Sequence, residues 1–173
     1  MKTNYVLTIR AEDRPGLLHL ITGLINKKQI PLISLSAAAT DVHAIVLITA
    51  EVVAGEGALT SLALKLENIV EVFGVEVRQA EKLLCLRAAY FKMSKGFLES
   101  PKVRILEKYN AVIVNYSDEA VLVAKYGTDL AIRALYNELD GPHLLGFSQS
   151  GLIADSALIG HGGEESSVIS LAA

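Results

Sequence analysis

Residues 5–10, Tyr-Val-Leu-Thr-Ile-Arg, place Tyr5, Leu7 and Ile9 on one side and Thr8 and Arg10 on the other. That alternation predicts a half-buried strand. Leu17, Leu20, Ile21, Leu24 and Ile25 follow at spacings of three and four, the stripe of an amphipathic helix that stops before Pro31. Asp13 or Arg14 falls near its cap position, and Pro15 suits its first turn. Strands are predicted over 32–39 and over 44–53, with a turn at Asp41-Val42-His43 between them. Leu59, Leu62, Ala63 and Leu66 make a second helical stripe, and a strand over 69–77 completes β-α-β-β-α-β. This is the ferredoxin-like split unit.

The rhythm then repeats with little identity between the halves. A strand over 83–91 leads to a helix opened by Ser100-Pro101 and carrying Val103, Leu106 and Tyr109. Strands over 111–116 and 119–126 flank a Ser117-Asp118 turn. Thr128 caps a helix bearing Ile132, Leu135, Tyr136 and Leu139, which Asp140-Gly141-Pro142 ends. A strand over 143–153 closes the second unit. The fold class expected is α+β, two ferredoxin-like βαββαβ domains in tandem. The boundaries expected are 1–79, 80–160 and a flexible tail over 161–173. The 44–53 strand is apolar on both faces (Ile45 and Leu47, Val46 and Ile48), which predicts either some exposed aliphatic surface or a sheet packed against it, from a second copy or from the other half.

Composition adds limits. The chain has 173 residues, 51% of them hydrophobic and 20% charged, with a net charge of -3. Such a chain has material for a core, unlike a disordered one. No basic face marks a nucleic-acid binder. No apolar run approaches the twenty or so residues of a membrane-spanning helix. The lone Cys85 and the absence of a signal-peptide pattern at the start predict a cytoplasmic protein.

Catalytic chemistry is hard to find. Gly146-Phe147-Ser148-Gln149-Ser150-Gly151 narrowly misses a nucleophile elbow, with Asp155 and His161 following in hydrolase order. The three lie close together in sequence, whereas a triad is assembled from distant strand ends. His19, His43, His143 and His161 form no metal-ligand spacing, and Cys85 among leucines reads as an inert core residue. No catalytic residue, metal site or cofactor is expected. The loop Glu12-Asp13-Arg14-Pro15-Gly16 does carry physics. Amide groups from Gly16 and Leu17 onward point from a helix N-terminus and favour an anion. Gly16 lets a ligand approach the backbone, and Asp13 accepts from an ammonium group. Together they suit a free amino acid; structurally, the same residues serve as a helix start.

Asp13-Arg14-Pro15-Gly16-Leu17-Leu18, between a strand and the Ile21-Thr22-Gly23-Leu24 helix, resembles the opening of an ACT domain. Over about residues 4–160 the chain resembles the small regulatory subunits of acetolactate synthase. The matching stretches are Gly23-Leu24-Ile25-Asn26-Lys27-Lys28, Ile33-Ser34-Leu35-Ser36, Leu66-Glu67-Asn68-Ile69-Val70-Glu71-Val72 and Ser150-Gly151-Leu152-Ile153-Ala154. The resemblance implies two ACT-type domains, a homodimer, and a thiamine-diphosphate-dependent acetolactate synthase catalytic subunit as partner. It also implies a branched-chain amino acid bound at Asp13, Arg14, Pro15, Gly16 and Leu17, with Ile30 and Pro31 of the neighbouring copy facing it. Asp13 and Pro31 stand where that family commonly has asparagine, and Gln29 where it has glycine. Those departures predict weak, altered or absent valine feedback. They also motivate an alternative, a stand-alone tandem ACT amino-acid sensor with another partner.

Overall fold

The computed structural model describes residues 2–155. They form two compact units, one of residues 2–84 with 152–155 and the other Cys85–Gly151. Leu152 and Asp155 join the first unit through two hydrogen bonds. The Ser36 hydroxyl donates to the Leu152 carbonyl (3.4 Å), and the Asp155 N–H donates to the Leu84 carbonyl (3.2 Å). The tail expected over 161–173 lies outside the described residues.

In the first unit β1 (Thr3–Glu12), α1 (Leu17–Lys27), β2 (Leu32–Ala39), β3 (Ile45–Ala54), α2 (Glu56–Glu67) and β4 (Val72–Gln79) follow in that order. The sheet is antiparallel with strand order β2-β3-β1-β4, the ferredoxin-like arrangement. One face of it, Tyr5, Leu7, Ile9, Ile48, Ala50, Val52, Val75 and Val77, packs with Leu17, Ile21 and Ile25 of α1 and Leu59, Leu62 and Leu66 of α2. Burying each such large aliphatic side chain contributes roughly 1.5–3 kcal/mol before the cost of ordering the chain. On the opposite face Val6, Thr8, Thr49 and Glu51 are buried as well, and the Ser34 hydroxyl donates to the Glu51 carboxylate. Lys28, at the end of α1, donates to the Ser61 hydroxyl of α2 (2.7 Å) and fixes the helix pair.

The second unit repeats the plan with β5 (Cys85–Ser94), α3 (Ile105–Lys108), β6 (Val112–Tyr116), β7 (Ala120–Gly127), α4 (Asp129–Leu139) and β8 (Leu144–Gln149), in strand order β6-β7-β5-β8. Phe91, Met93, Phe97, Val121, Val123, Ile132, Leu135 and Leu139 make its core. Phe147 packs against Phe91 and Tyr136, each with ring centroids 5.0 Å apart. The tandem ferredoxin-like fold read from the sequence is the fold of the chain.

Two local expectations change. The segment after Ser100 is 3₁₀ over Pro101–Arg104 and α-helical for only Ile105–Lys108. Val103, Leu106 and Tyr109 recur every three residues, which is the 3₁₀ period rather than the α-helical one. Ser100 does not cap it, because its hydroxyl donates back to the Phe97 carbonyl (2.7 Å). Thr128, in contrast, does cap α4: its hydroxyl accepts from the Ala131 N–H (3.3 Å).

Candidate functional site

The loop between β1 and α1 is held by its backbone. The Glu12 N–H donates to the Glu71 carbonyl (2.8 Å) and the Asp13 N–H to the Ala44 carbonyl (2.8 Å). Asp13, Arg14, Pro15 and Gly16 are exposed, and Leu17 turns into the core. The helix begins two or three positions later than the charge pattern suggests. Gly16, not Asp13 or Arg14, is the N-cap, with φ 91° and ψ -13° and no side chain capping the turn. A left-handed backbone explains the glycine, since other residues pay for that conformation. No atom lies within 4 Å of where a Cβ would stand on Gly16, so the space beside it is open. Leu20 is the first residue to donate in helical fashion, to the Gly16 carbonyl (3.1 Å), while the Leu17 N–H is turned to the Arg14 carbonyl (3.2 Å). The uncapped first turn therefore presents amide groups and the positive end of the helix dipole to the outside.

Charge around the loop is mixed. Arg14 lies 3.0 Å from Glu12. The hydrogen bond and the charge of Glu12, with a smaller contribution from Glu71, raise the Arg14 pKa above its ordinary value. Arg14 is thus a cation whose nearest carboxylate is already its own neighbour. Asp13 has its main-chain N–H committed and its carboxylate exposed, an acceptor beside the amide donors.

Ile30 and Pro31 are not part of this loop within one chain. They sit at the other end of α1, before β2. Leu32 opposes Val52, and Val52 opposes Tyr5, whereas Glu12 opposes Ile45. From Tyr5 to Glu12 is about 24 Å at the rise of an antiparallel strand. Ile30 is buried in its own core, Pro31 is exposed, and the Pro31 carbonyl accepts from the Val53 N–H (3.1 Å). Gln29 adopts φ 53° just after the last turn of α1, a left-handed position where glycine is the ordinary choice.

The remaining candidates lie elsewhere. Ser148 is inside β8 opposite Tyr90, not at a strand-to-helix turn, and His161 lies outside the described residues. His143 Nδ1 is 2.9 Å from the Ser94 hydroxyl. Cys85 is half-buried at the start of β5 rather than deep in a core. Among the described residues no three His, Cys, Asp or Glu side chains are placed to share a metal ion, and no helix is long and apolar enough to cross a membrane.

Sequence reasoning missed one feature. A shallow groove of about 420 Å³ runs over α1 and α2, lined by His19, Leu20, Gly23, Leu24, Lys27, Lys65 and Ile69. Leu20 belongs to the apolar stripe of α1 yet is 51% exposed. The buried positions, Leu17, Ile21 and Ile25, are spaced strictly by four, and the width of the stripe beyond them was the available signal.

No family model matches the chain. It is similar to the acetolactate synthase small subunit of Mycobacterium leprae, 24% identical over 151 residues that span 87% of this chain and 89% of that protein. The acetolactate synthase small subunit of Mycolicibacterium smegmatis is 20% identical over 153 residues, 88% of this chain and 90% of that one. Among solved structures, the acetolactate synthase small subunit of Thermotoga maritima superposes with a TM-score of 0.78 at 14% identity, covering 87% of this chain and 95% of that one. Over nearly its whole described length, in both the order of its elements and its sequence, the chain is similar to acetolactate synthase small subunits.

Proposed function

We propose that this chain is a non-catalytic regulatory subunit of acetolactate synthase. It activates a separate thiamine-diphosphate-dependent catalytic subunit and conveys feedback from a branched-chain amino acid. One observation carries the reading: the similarity to acetolactate synthase small subunits extends through both units and covers the relatives almost end to end. The same relatives support a regulatory role, and the chemistry of the first loop supports its ligand.

A free amino acid has a carboxylate for the uncapped amides of Gly16 and the first turn of α1, and an ammonium group for Asp13. Its branched side chain would meet apolar surface. Pro31 lies on the far side of α1, so a second copy must supply it, and a two-fold homodimer along β2 would do so. Leu32 and Ile33, at the start of β2, are exposed on that strand. The ligand acts by its difference in affinity for two packings of such a dimer. Proline at position 31 offers neither a side-chain amide nor an N–H, which favours weak or altered valine feedback.

The test is co-purification of the full chain with the acetolactate synthase catalytic subunit, followed by turnover with and without valine, leucine or isoleucine. Association with a rise in turnover is the expected result. Neither association nor activation would overturn the reading. It would favour the stand-alone amino-acid sensor, for which Asp13 and Pro31 are the motivating residues. The protein would work in the cytoplasm beside its catalytic partner.

A further inference from the structure

The groove over α1 and α2 has an apolar floor. Leu24 and Ile69 pack on the core beneath it, and Leu20 stands beside them half exposed. Gly23 leaves bare helix backbone in the lining, with no atom within 4 Å of where its Cβ would stand. A small molecule is held where a cavity covers most of its surface, whereas a shallow channel along two helices suits a chain segment lying in it.

The charge in the lining is basic. Lys27 and Lys65 are exposed there, and no carboxylate lines the groove. Neither lysine forms an ion pair among the described residues. The matching occupant carries aliphatic side chains next to negative charge.

The chain itself supplies such a segment. It re-enters the first unit at Leu152 and is tied there through Asp155. Ser36, which holds Leu152, opposes Thr49 on the sheet face away from the helices. Residues 156–173 then bring no Lys or Arg, and their acidic residues are Glu164 and Glu165. Val168, Ile169 and Leu171 follow close behind. Residues 156–163 span about 26 Å when extended, more than the roughly 15–20 Å through a sheet and one layer of helices. Gly160, Gly162 and Gly163 in that stretch accept the turns such a path needs. Tethering raises the local concentration of the segment to about the millimolar range, so a contact too weak to hold a free peptide is still occupied.

We propose that residues 164–171 occupy the groove over α1 and α2 of their own chain. The two carboxylates lie against Lys27 and Lys65, and the aliphatic side chains lie on Leu20, Leu24 and Ile69. The segment thereby straps the outer side of α1, the helix that begins at the Gly16 cap. The contact is independent of the acetolactate synthase reading.

The experiment uses the full chain with Cys85→Ala and two new cysteines, Gly23→Cys in the groove and Ser167→Cys beside the acidic pair. Should Gly23→Cys fail to fold, His19→Cys, exposed in the same groove, replaces it. Mild oxidation should close a disulfide within one chain several-fold faster than in a control that combines Ser167→Cys with Gly57→Cys. Gly57 is exposed in the first turn of α2 and has open space beside it. Glu164→Lys with Glu165→Lys should bring the rate down to the control's, and adding Lys27→Glu with Lys65→Glu should restore it. A rate no faster than the control overturns the proposal. So does a rate that rises with protein concentration, which marks exchange between chains, or one that the charge reversal leaves unchanged. If Gly23→Cys is shielded from a thiol reagent only when the catalytic subunit is bound, and forms no disulfide with Ser167→Cys, that partner holds the groove and the proposal is wrong.

Discussion

The main-chain N–H of Asp13 donates to the carbonyl of Ala44 across 2.8 Å, and Ala44 makes that bond from a left-handed backbone with φ 58°. The acceptor that orients the candidate site is therefore held by a residue with an unfavourable conformation. Ala44→Gly should stabilise the chain by about 1 kcal/mol, because glycine adopts this region without the steric cost that alanine pays. Denaturant unfolding checks it. An unchanged or lower midpoint would show that the turn relaxes to another conformation.

Gly16 gives the opposite sign. Space beside it is open, so a methyl group meets nothing, yet its φ of 91° strains any side chain. Gly16→Ala should lose roughly 1–2 kcal/mol through the backbone alone. Gly16 variants are consequently poor probes of ligand approach, since lost binding and lost stability arrive together. Thermal melts of the variant against wild type decide the point.

Asp13→Ala is the cleaner probe. The side chain is exposed and makes none of the bonds that hold the loop, which come from the main chain. Calorimetric titration with valine, leucine and isoleucine should show the affinity for the bound amino acid falling on the order of ten- to a hundredfold, the worth of one hydrogen bond to a charged group. The melting temperature should not move. Wild-type affinity in this variant would remove Asp13 from the site.

In the second unit Lys108 lies 3.0 Å from Glu138. Hydrogen bonding and charge from Lys108 lower the Glu138 pKa below its ordinary 4.5, and hydrogen bonding and charge from Glu138 raise Lys108 above its ordinary 10.5. The carboxylate's contribution to stability is present above 4.5 and is lost as pH falls through the lowered folded value. The ammonium's is present below 10.5 and is lost as pH rises through the raised one. Glu138→Gln should therefore be slightly less stable than wild type across the neutral range and match it at both extremes. The pair is at the surface, so added salt should shrink the difference. Urea midpoints measured against pH and salt test this.

Much of the fold was readable because its determinants are local and periodic. The strand predicted over 32–39 is Leu32–Ala39, and the stripe of α1 found its buried positions at Leu17, Ile21 and Ile25. Thr128 announced α4 through a hydroxyl with nothing nearer to bond. Ser100 gave the same signal falsely, since its hydroxyl turns back to Phe97. A sequence cannot rank those two bonds. Gln29 was visible as a departure from glycine, but the reason, a left-handed φ of 53°, needed the backbone. The candidate loop was legible from Asp13 to Leu17. That Ile30 is spent on its own core was not, because burial there depends on where α1 ends relative to the sheet.

The separation of the Asp13 loop from Pro31 by the length of α1 has a consequence for dose. If the proposed ligand touches both ends, it must be clasped by two chains, and a solitary chain would carry half a receptor at each end. Occupancy and self-association are then linked: the effector tightens the pair by the same factor that pairing tightens the effector. Dilution would blunt the response with no change in any residue. The abundance of the chain would set its sensitivity alongside its sequence.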